Sequence, residues 1–180
     1  MVITVIIFIM LFLIDQLSKY LSQLFLVQGS KTTFIPHVIS FNLTYNQGAA
    51  LSSFDNTGWL LVIVSSVATI VLAYYCTKNN WKHEKYKSFL LTMIMAGCVG
   101  NLYDRIVMNI SSFNLSDGRP GVVDMIQFNF IDFIWEKIFK SPFAICNIAD
   151  VYLVVGLILF AIDLLFFADR RKKKYEASYN

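Results

Sequence analysis

The sequence predicts a membrane protein of the all-α class, a four-helix bundle with a small extracytoplasmic β-platform and an amphipathic helix lying in the membrane interface. Three observations predict it. The 180 residues are 57% hydrophobic and only 15% charged, with a mean hydropathy of +0.59, whereas soluble domains run at roughly 45–50% apolar and about 25% charged. Four stretches reach the ~20 apolar residues that a helix needs to cross the hydrocarbon core, at about residues 2–24, 59–77, 89–109 and 148–167. The connections at about 25–58 and 110–147 carry strand and amphipathic-helix patterns of their own. With three prolines, eight glycines and no repeat or low-complexity segment, residues 1–180 read as one domain.

An even number of spans puts both termini on one side, and Lys and Arg collect in cytoplasmic loops. The short connection at about 78–88 holds Lys78, Lys82, Lys85 and Lys87, and the tail at 168–180 holds Arg170, Arg171, Lys172, Lys173 and Lys174. The two much longer connections hold only Lys31, Arg119, Lys137 and Lys140. Both termini are therefore expected in the cytoplasm. The first span has no basic n-region and no small-x-small cleavage site after it, so it should remain as a helix. The basic tail fits an anchor on the anionic inner leaflet as well as a simple solubilising tail.

Within the first long connection, Ile39, Phe41, Leu43 and Tyr45 alternate with Ser40, Asn42, Thr44 and Asn46. That two-residue period belongs to a half-buried strand, and Asn46-Gln47-Gly48 then supplies turn chemistry. In the second, Ile131, Ile134, Trp135, Ile138 and Phe139 recur at helical spacing with Asp132, Glu136, Lys137 and Lys140 opposite them. This 127–142 segment predicts an amphipathic helix in the interface plane, with Trp135 near the headgroups and Pro142 closing it.

Ionisable side chains inside a bilayer are costly and mark functional sites by default. At a rise of ~1.5 Å per residue, Asp15 and Lys19 of the first span and Asn101, Asp104 and Arg105 of the third reach the outer leaflet, where Asp150 opens the fourth span and Asp124 precedes it. Asp15, Ser18, Lys19 and Ser22 form one helical stripe, and Gly97, Asn101 and Arg105 another, with Gly97 and Gly100 small enough for a second helix to approach. Each residue also has a plainer reading. Asp15 with Lys19 is most economically a structural pair, Arg105 either neutralises a carboxylate such as Asp104 or anchors substrate, and Asn147 to Asp150 by itself is a helix N-cap with an acid at N3. Asp163 lies ~20 Å deeper than Asp150 and reads as a snorkelling or helix-packing residue.

Several chemistries have little to stand on. The three cysteines, Cys76, Cys98 and Cys146, are scattered singly, and the two histidines, His37 and His83, form no H-E-x-x-H motif, so no metal site or cofactor is expected. Both histidines read as surface residues. Ser18 and Lys19 point to different helix faces, and no G-x-S-x-G is present, which leaves a serine peptidase poorly supported. A small ion-coupled carrier would spread polar groups through the membrane depth, and a non-catalytic scaffold leaves the clustered carboxylates without a role.

Five short blocks, Asp15-Gln16-Leu17-Ser18-Lys19, Asn46-Gln47-Gly48-Ala49-Ala50, Gly100-Asn101-Leu102-Tyr103-Asp104-Arg105, Val122-Val123-Asp124 and Asn147-Ile148-Ala149-Asp150, occur in that order over nearly the whole chain. Together they resemble the conserved blocks of lipoprotein signal peptidase (signal peptidase II). The resemblance implies a four-helix enzyme of the bacterial inner membrane with an extracytoplasmic β-cradle, cleaving prolipoproteins just before their diacylglyceryl-modified cysteine. It implies Asp124 and Asp150 as a catalytic dyad, Asn46, Gly48, Asn101, Arg105 and Asn147 as residues shaping the pocket, and Asp15, Lys19 and Asp104 as its supports. The expected partners are prolipoproteins and membrane lipids, not nucleic acid, and the expected state is a monomer. Met125 and Cys146 stand where the family usually has phenylalanine, and the stretch from Asp124 to Asp150 is longer than usual.

Two carboxylates sharing a proton supply an acid and a base at once, which peptide hydrolysis without a metal requires. They titrate as a pair. The helix dipole favours Asp150 as the anion, leaving Asp124 as the expected protonated partner.

Overall fold

The computed structural model describes residues 2–46, 57–79, 81–82, 84–111 and 121–167. Five helices, α1 (Val2–Phe25), α2 (Thr57–Lys78), α3 (Lys85–Ser111), α4 (Asn129–Phe139) and α5 (Ile148–Phe166), combine with three strands, β1 (Lys31–Ile35), β2 (Ile39–Asn46) and β3 (Val122–Phe128). Helices α1, α2, α3 and α5 each contain a segment long and apolar enough to cross a membrane. Gly48, its neighbours Gln47, Ala49 and Ala50, His83 and the basic tail at 168–180 lie outside the described residues.

The four long helices begin and end within a few residues of the boundaries that hydropathy predicts. Their arrangement follows from α3, which packs against α1, α2 and α5. It is the most polar of the four in sequence and the one most enclosed by protein, since Leu90, Leu91, Met93, Ile94, Ala96, Asn101 and Asp104 are buried. The outer helices instead turn large apolar side chains such as Leu13, Leu17, Ile70 and Leu165 outward. Close contact with α3 depends on small residues. A Cβ added at Gly97 would stand 2.6 Å from the Ala149 carbonyl oxygen, and one at Gly100 would stand 2.6 Å from Asp15 Oδ2. The two glycines thus bring α5 and α1 against α3 at the same height, as their spacing predicts.

The strands form one antiparallel sheet in the order β1-β2-β3. Strand β2 matches the stretch predicted from alternation, but its faces do not stay in phase. Ser40 and Leu43 are its buried residues, three apart, because a register shift between Phe41 and Thr44 turns the strand over. Strand β3 pairs Thr44 with Asp124 and Asn46 with Val122, and its first four residues are all buried. With both faces covered it has no polar alternation to read in the sequence. Gly121, just before it, has φ of 158° and lies so close to Asn46 that a Cβ would meet that residue's carbonyl carbon and oxygen at 2.9 Å. The close approach requires glycine and fixes where β3 begins.

Helix α4 forms where amphipathicity predicts it, but Pro142 does not end it. Lys140 adopts the left-handed conformation with φ of 57°, and its N–H donates to Glu136 O, closing the last turn. No side chain of α4 is buried. Of the two readings of Asp163, helix packing fits and snorkelling does not: it is 1% exposed and shares the inward face of α5 with Ala149 and Gly156, each seven residues apart.

Candidate active site

The polar groups of α1, α3, β3 and α5 meet at one end of the long helices. Helical spacing puts Asp15 and Lys19 on the inward face of α1, where Lys19 Nζ lies 2.8 Å from Asp15 Oδ2 and 2.9 Å from Asp104 Oδ2. The same ammonium reaches Asn101 Oδ1 at 3.4 Å and Gly100 O at 3.5 Å. All four side chains of this set are buried. Asp104 thus pairs with Lys19, while Arg105 Nη1 donates to Ser65 Oγ of α2 at 3.4 Å. Arg105 is nonetheless close enough for its charge to act on Asp150 and Asp124. Ser18 and Ser22 drop out of the predicted stripe, because their hydroxyls donate back to Asp15 O and Ser18 O within α1.

Asp15 does more than pair with lysine. Its Oδ1 accepts the backbone N–H of Ala149 at 2.9 Å, one of the amide groups that a helix start leaves without an internal partner. Asn147 caps the same start with both halves of a capping box: its Oδ1 accepts from Asp150 N at 2.9 Å, and Asp150 Oδ2 accepts from Asn147 N at 3.1 Å. The plain N-cap reading of this motif is therefore correct as far as it goes. The cap also has a second face.

Asn147 Nδ2 donates to Asp124 Oδ1 at 2.7 Å and to Asn101 Oδ1 at 3.0 Å, and Asn101 Nδ2 donates to Asp150 Oδ1 at 2.7 Å. Asn46, diagonal to Asp124 across the β2–β3 ladder, donates to Asp124 Oδ2 at 2.9 Å. Each of the four carboxylate oxygens of Asp124 and Asp150 therefore receives a hydrogen bond from a neutral amide. Asp124 is 1% exposed. Its carboxyl is pushed up to about 7, first by burial and then by the charge of Asp150, against the donations from Asn46 and Asn147 and the charge of Lys19. Asp150 is only partly buried, so the pair opens to the surface on its side.

Asn46, Asn101, Asn147, Asp15, Lys19, Asp104, Asp124 and Asp150 are thus brought into one connected network, with Arg105 at its margin. Sequence reasoning missed Gln16, whose Nε2 donates to Asp15 Oδ2 at 3.0 Å, Asp104 Oδ1 at 3.2 Å and Gly100 O at 3.3 Å. Its signal was its position beside Asp15, at the start of the polar second half of α1. Cys146 precedes Asn147, but burial and the two aspartates push its thiol up to about 12, which leaves no thiolate to act as a nucleophile at neutral pH. Among the described residues, no group of three or more His, Cys, Asp or Glu side chains is placed to hold a metal ion.

Comparison with known proteins bears on this site. The family profile described as signal peptidase (SPase) II matches residues 7–166. The lipoprotein signal peptidase of Pseudomonas aeruginosa (strain UCBPP-PA14) is 31% identical over 175 residues, covering 95% of this chain and 90% of that protein. That of Clostridioides difficile (strain 630) is 34% identical over 170 residues, covering 93% and 98%. A bacterial membrane enzyme solved by the in meso method at 1.9 Å resolution superposes with a TM-score of 0.74 at 26% identity, covering 93% of this chain and 96% of its own. A second, at 2.3 Å, gives 0.69 at 27% identity over 92% and 88%. The match runs through every element of the network from Asp15 to Asp150, and the chain belongs to the signal peptidase II family.

Proposed function

We propose that the chain is an aspartyl endopeptidase of the bacterial inner membrane that removes signal peptides from prolipoproteins, cleaving just before the diacylglyceryl-modified cysteine. Family membership supports the substrate class. The observation that carries the chemistry is that one residue, Asn147, donates to both acids, to Asp124 through its side chain and to Asp150 through its backbone N–H. Two carboxylates from different elements are thereby held together by amide donors.

On this reading Asp150, at the start of α5 where the dipole favours negative charge, takes a proton from water as the water oxygen adds to the scissile carbonyl carbon. Asp124 gives its proton to the carbonyl oxygen, forming a tetrahedral diol. Collapse of the diol breaks the C–N bond as Asp150 passes its proton to the departing nitrogen and Asp124 recovers one from a hydroxyl. A pKa of about 7 for Asp124 keeps a proton available at neutral pH. Asn46, Asn101 and Asn147 hold the pair and shape the pocket with Gly48 and Arg105, while Asp15, Lys19 and Asp104 brace it. No metal or other cofactor enters any step.

The whole of 1–180 acts as one four-helix peptidase domain and as a monomer, with the sheet forming a cradle for an extended substrate strand. Both termini face the cytoplasm, which places the dyad near the outer leaflet. Helix α4 lies in the interface plane, its Phe130 and Ile138 being 64% and 65% exposed with no protein over them. The acyl chains of the substrate then enter laterally from the bilayer.

The test is incubation of purified protein with a lipidated prolipoprotein, comparing wild type with Asp124→Asn and Asp150→Asn. Cleavage by the wild type and its loss in both variants is expected. Undiminished cleavage by either variant would sink the dyad.

A further inference from the structure

Between Ile126 and Cys146 the chain leaves β3, forms α4 and returns to the proposed dyad, and this excursion is closed at two levels. At its base, Ile126 and Cys146 exchange backbone bonds of 2.7 Å and 2.9 Å, and Met125 N also donates to Cys146 O at 3.0 Å. Further out, Asp132 of α4 bridges the two limbs. Its Oδ1 accepts the Phe143 N–H at 2.7 Å, and its Oδ2 accepts Gln127 Nε2 at 2.8 Å. Gln127 is buried, three residues beyond Asp124 on β3, and Phe143 is four residues before Asn147.

We infer that Asp132 is a positioning residue for the dyad: it clasps the returning limb to β3 and so sets where Asn147 presents its amide. The inference rests on the proposed function above. Its logic is geometric. Asn147 needs its Nδ2 within bonding distance of Asp124 and of Asn101 at once, and the segment that delivers it has no helix or sheet of its own between Lys140 and Cys146. An ionised carboxylate is the one side chain of this size that accepts from two donors on opposite limbs with both oxygens. Among the described residues, the other hydrogen bonds that tie α4 to the β2 limb, Asn129 Nδ2 to Ser40 Oγ at 2.9 Å and Asn129 N to Val38 O at 2.9 Å, fix its first turn, and Trp135 meets the Phe143 ring edge-on at 5.3 Å without a directional bond to β3. Asp132 lies outside the proposed pocket and acts on the acids only through the backbone it holds.

The test is a rescue cycle on the full-length protein in detergent or liposomes, with a lipidated prolipoprotein as substrate. Asp132→Ala should lower kcat about tenfold or more with KM within about twofold of wild type, by loss of two charge-assisted bonds. Gln127→Glu places a second carboxylate against Asp132 and should give a similar loss. Adding Asp132→Asn to Gln127→Glu restores the clasp with donor and acceptor exchanged, because the new amide donates to Glu while its oxygen still accepts from Phe143 N–H. That double variant should recover most of the wild-type kcat, which a merely structural role would not produce. A double variant no better than Gln127→Glu, or an Asp132→Ala whose defect lies in KM alone, overturns the clasp. Wild-type protein that fails to cleave at all counts against the proposed function instead.

Discussion

The network treats its four buried or partly buried aspartates in two ways. Asp15 and Asp104 meet an ammonium directly, at 2.8 and 2.9 Å from Lys19. Asp124 and Asp150 receive amide hydrogen bonds instead, from Asn46, Asn101 and Asn147. An ammonium gives a buried carboxylate a full countercharge, whereas an amide solvates the anion without supplying one. On the proposed reading the first pair braces the site and the second exchanges protons. Asn101 joins the two pairs by accepting from Lys19 and donating to Asp150, and two backbone bonds join them as well, Ala149 N–H to Asp15 and Val123 N–H to Asp104.

This division can be broken or sharpened by substitution. The largest effect is expected at the amide-held pair, where Asp124→Asn and Asp150→Asn should each lower kcat by about 10²–10⁴-fold while thermal unfolding in detergent changes little. Removing the cation should do the reverse. Lys19→Met leaves two buried carboxylates without their partner and should cost about 3–5 kcal/mol in stability; an unchanged unfolding midpoint with lost cleavage would erase the distinction between the pairs. Asn101→Ala removes the side chain bonded to both Lys19 and Asp150 and should lower kcat by roughly 10–100-fold, the equivalent of about 1.5–3 kcal/mol for a bond to a charged group.

The proton on Asp124 gives a fourth check. On the proposed mechanism its acid form acts, and with its pKa raised to about 7, kcat/KM should fall as pH rises through about 7, approaching tenfold per unit above it. Any Lys19→Met protein that folds should shift this limb to higher pH, since Lys19 pulls the Asp124 value down. The smallest effects belong to the glycines. Gly97→Ala drives a Cβ against backbone at Ala149 and should cost about 1–3 kcal/mol. Gly156→Ala meets side-chain atoms and no backbone, Ile94 Cγ1 at 2.7 Å and the Met93 methyl at 3.1 Å, and should cost less.

What the sequence made legible follows from periodicity. The spans, α4 and the inward faces of Asp15, Lys19, Gly97, Gly100 and Asn101 all follow from the 3.6-residue repeat, because a helix fixes the face of a side chain by counting. Strand β2 was visible by its two-residue period, but the register shift after Phe41 escaped it, since a bulge moves every later side chain to the other face. Strands β1 and β3 escaped altogether. Residues 122–125 are buried on both sides, so nothing alternates, and Asp124 looks like a loop acid until β2 is laid beside it. The bond from Asp15 to the Ala149 amide joins positions 134 apart, a separation that no local pattern carries. Which two of the clustered acids form the dyad came from the family resemblance, not from spacing.

That same bond ties the first helix to the start of α5. The Ala149 amide is finished by a carboxylate of α1, and Asp150 follows one residue later. Read along the chain, the proposed site is split between α1 and α5, the first and last of the described helices. The segments through β3 supply Asp15, Asn101 and Asp124, but neither Asp150 nor the asparagine that bonds to both acids. On the proposed function, the second acid joins the site only once α5 has been made.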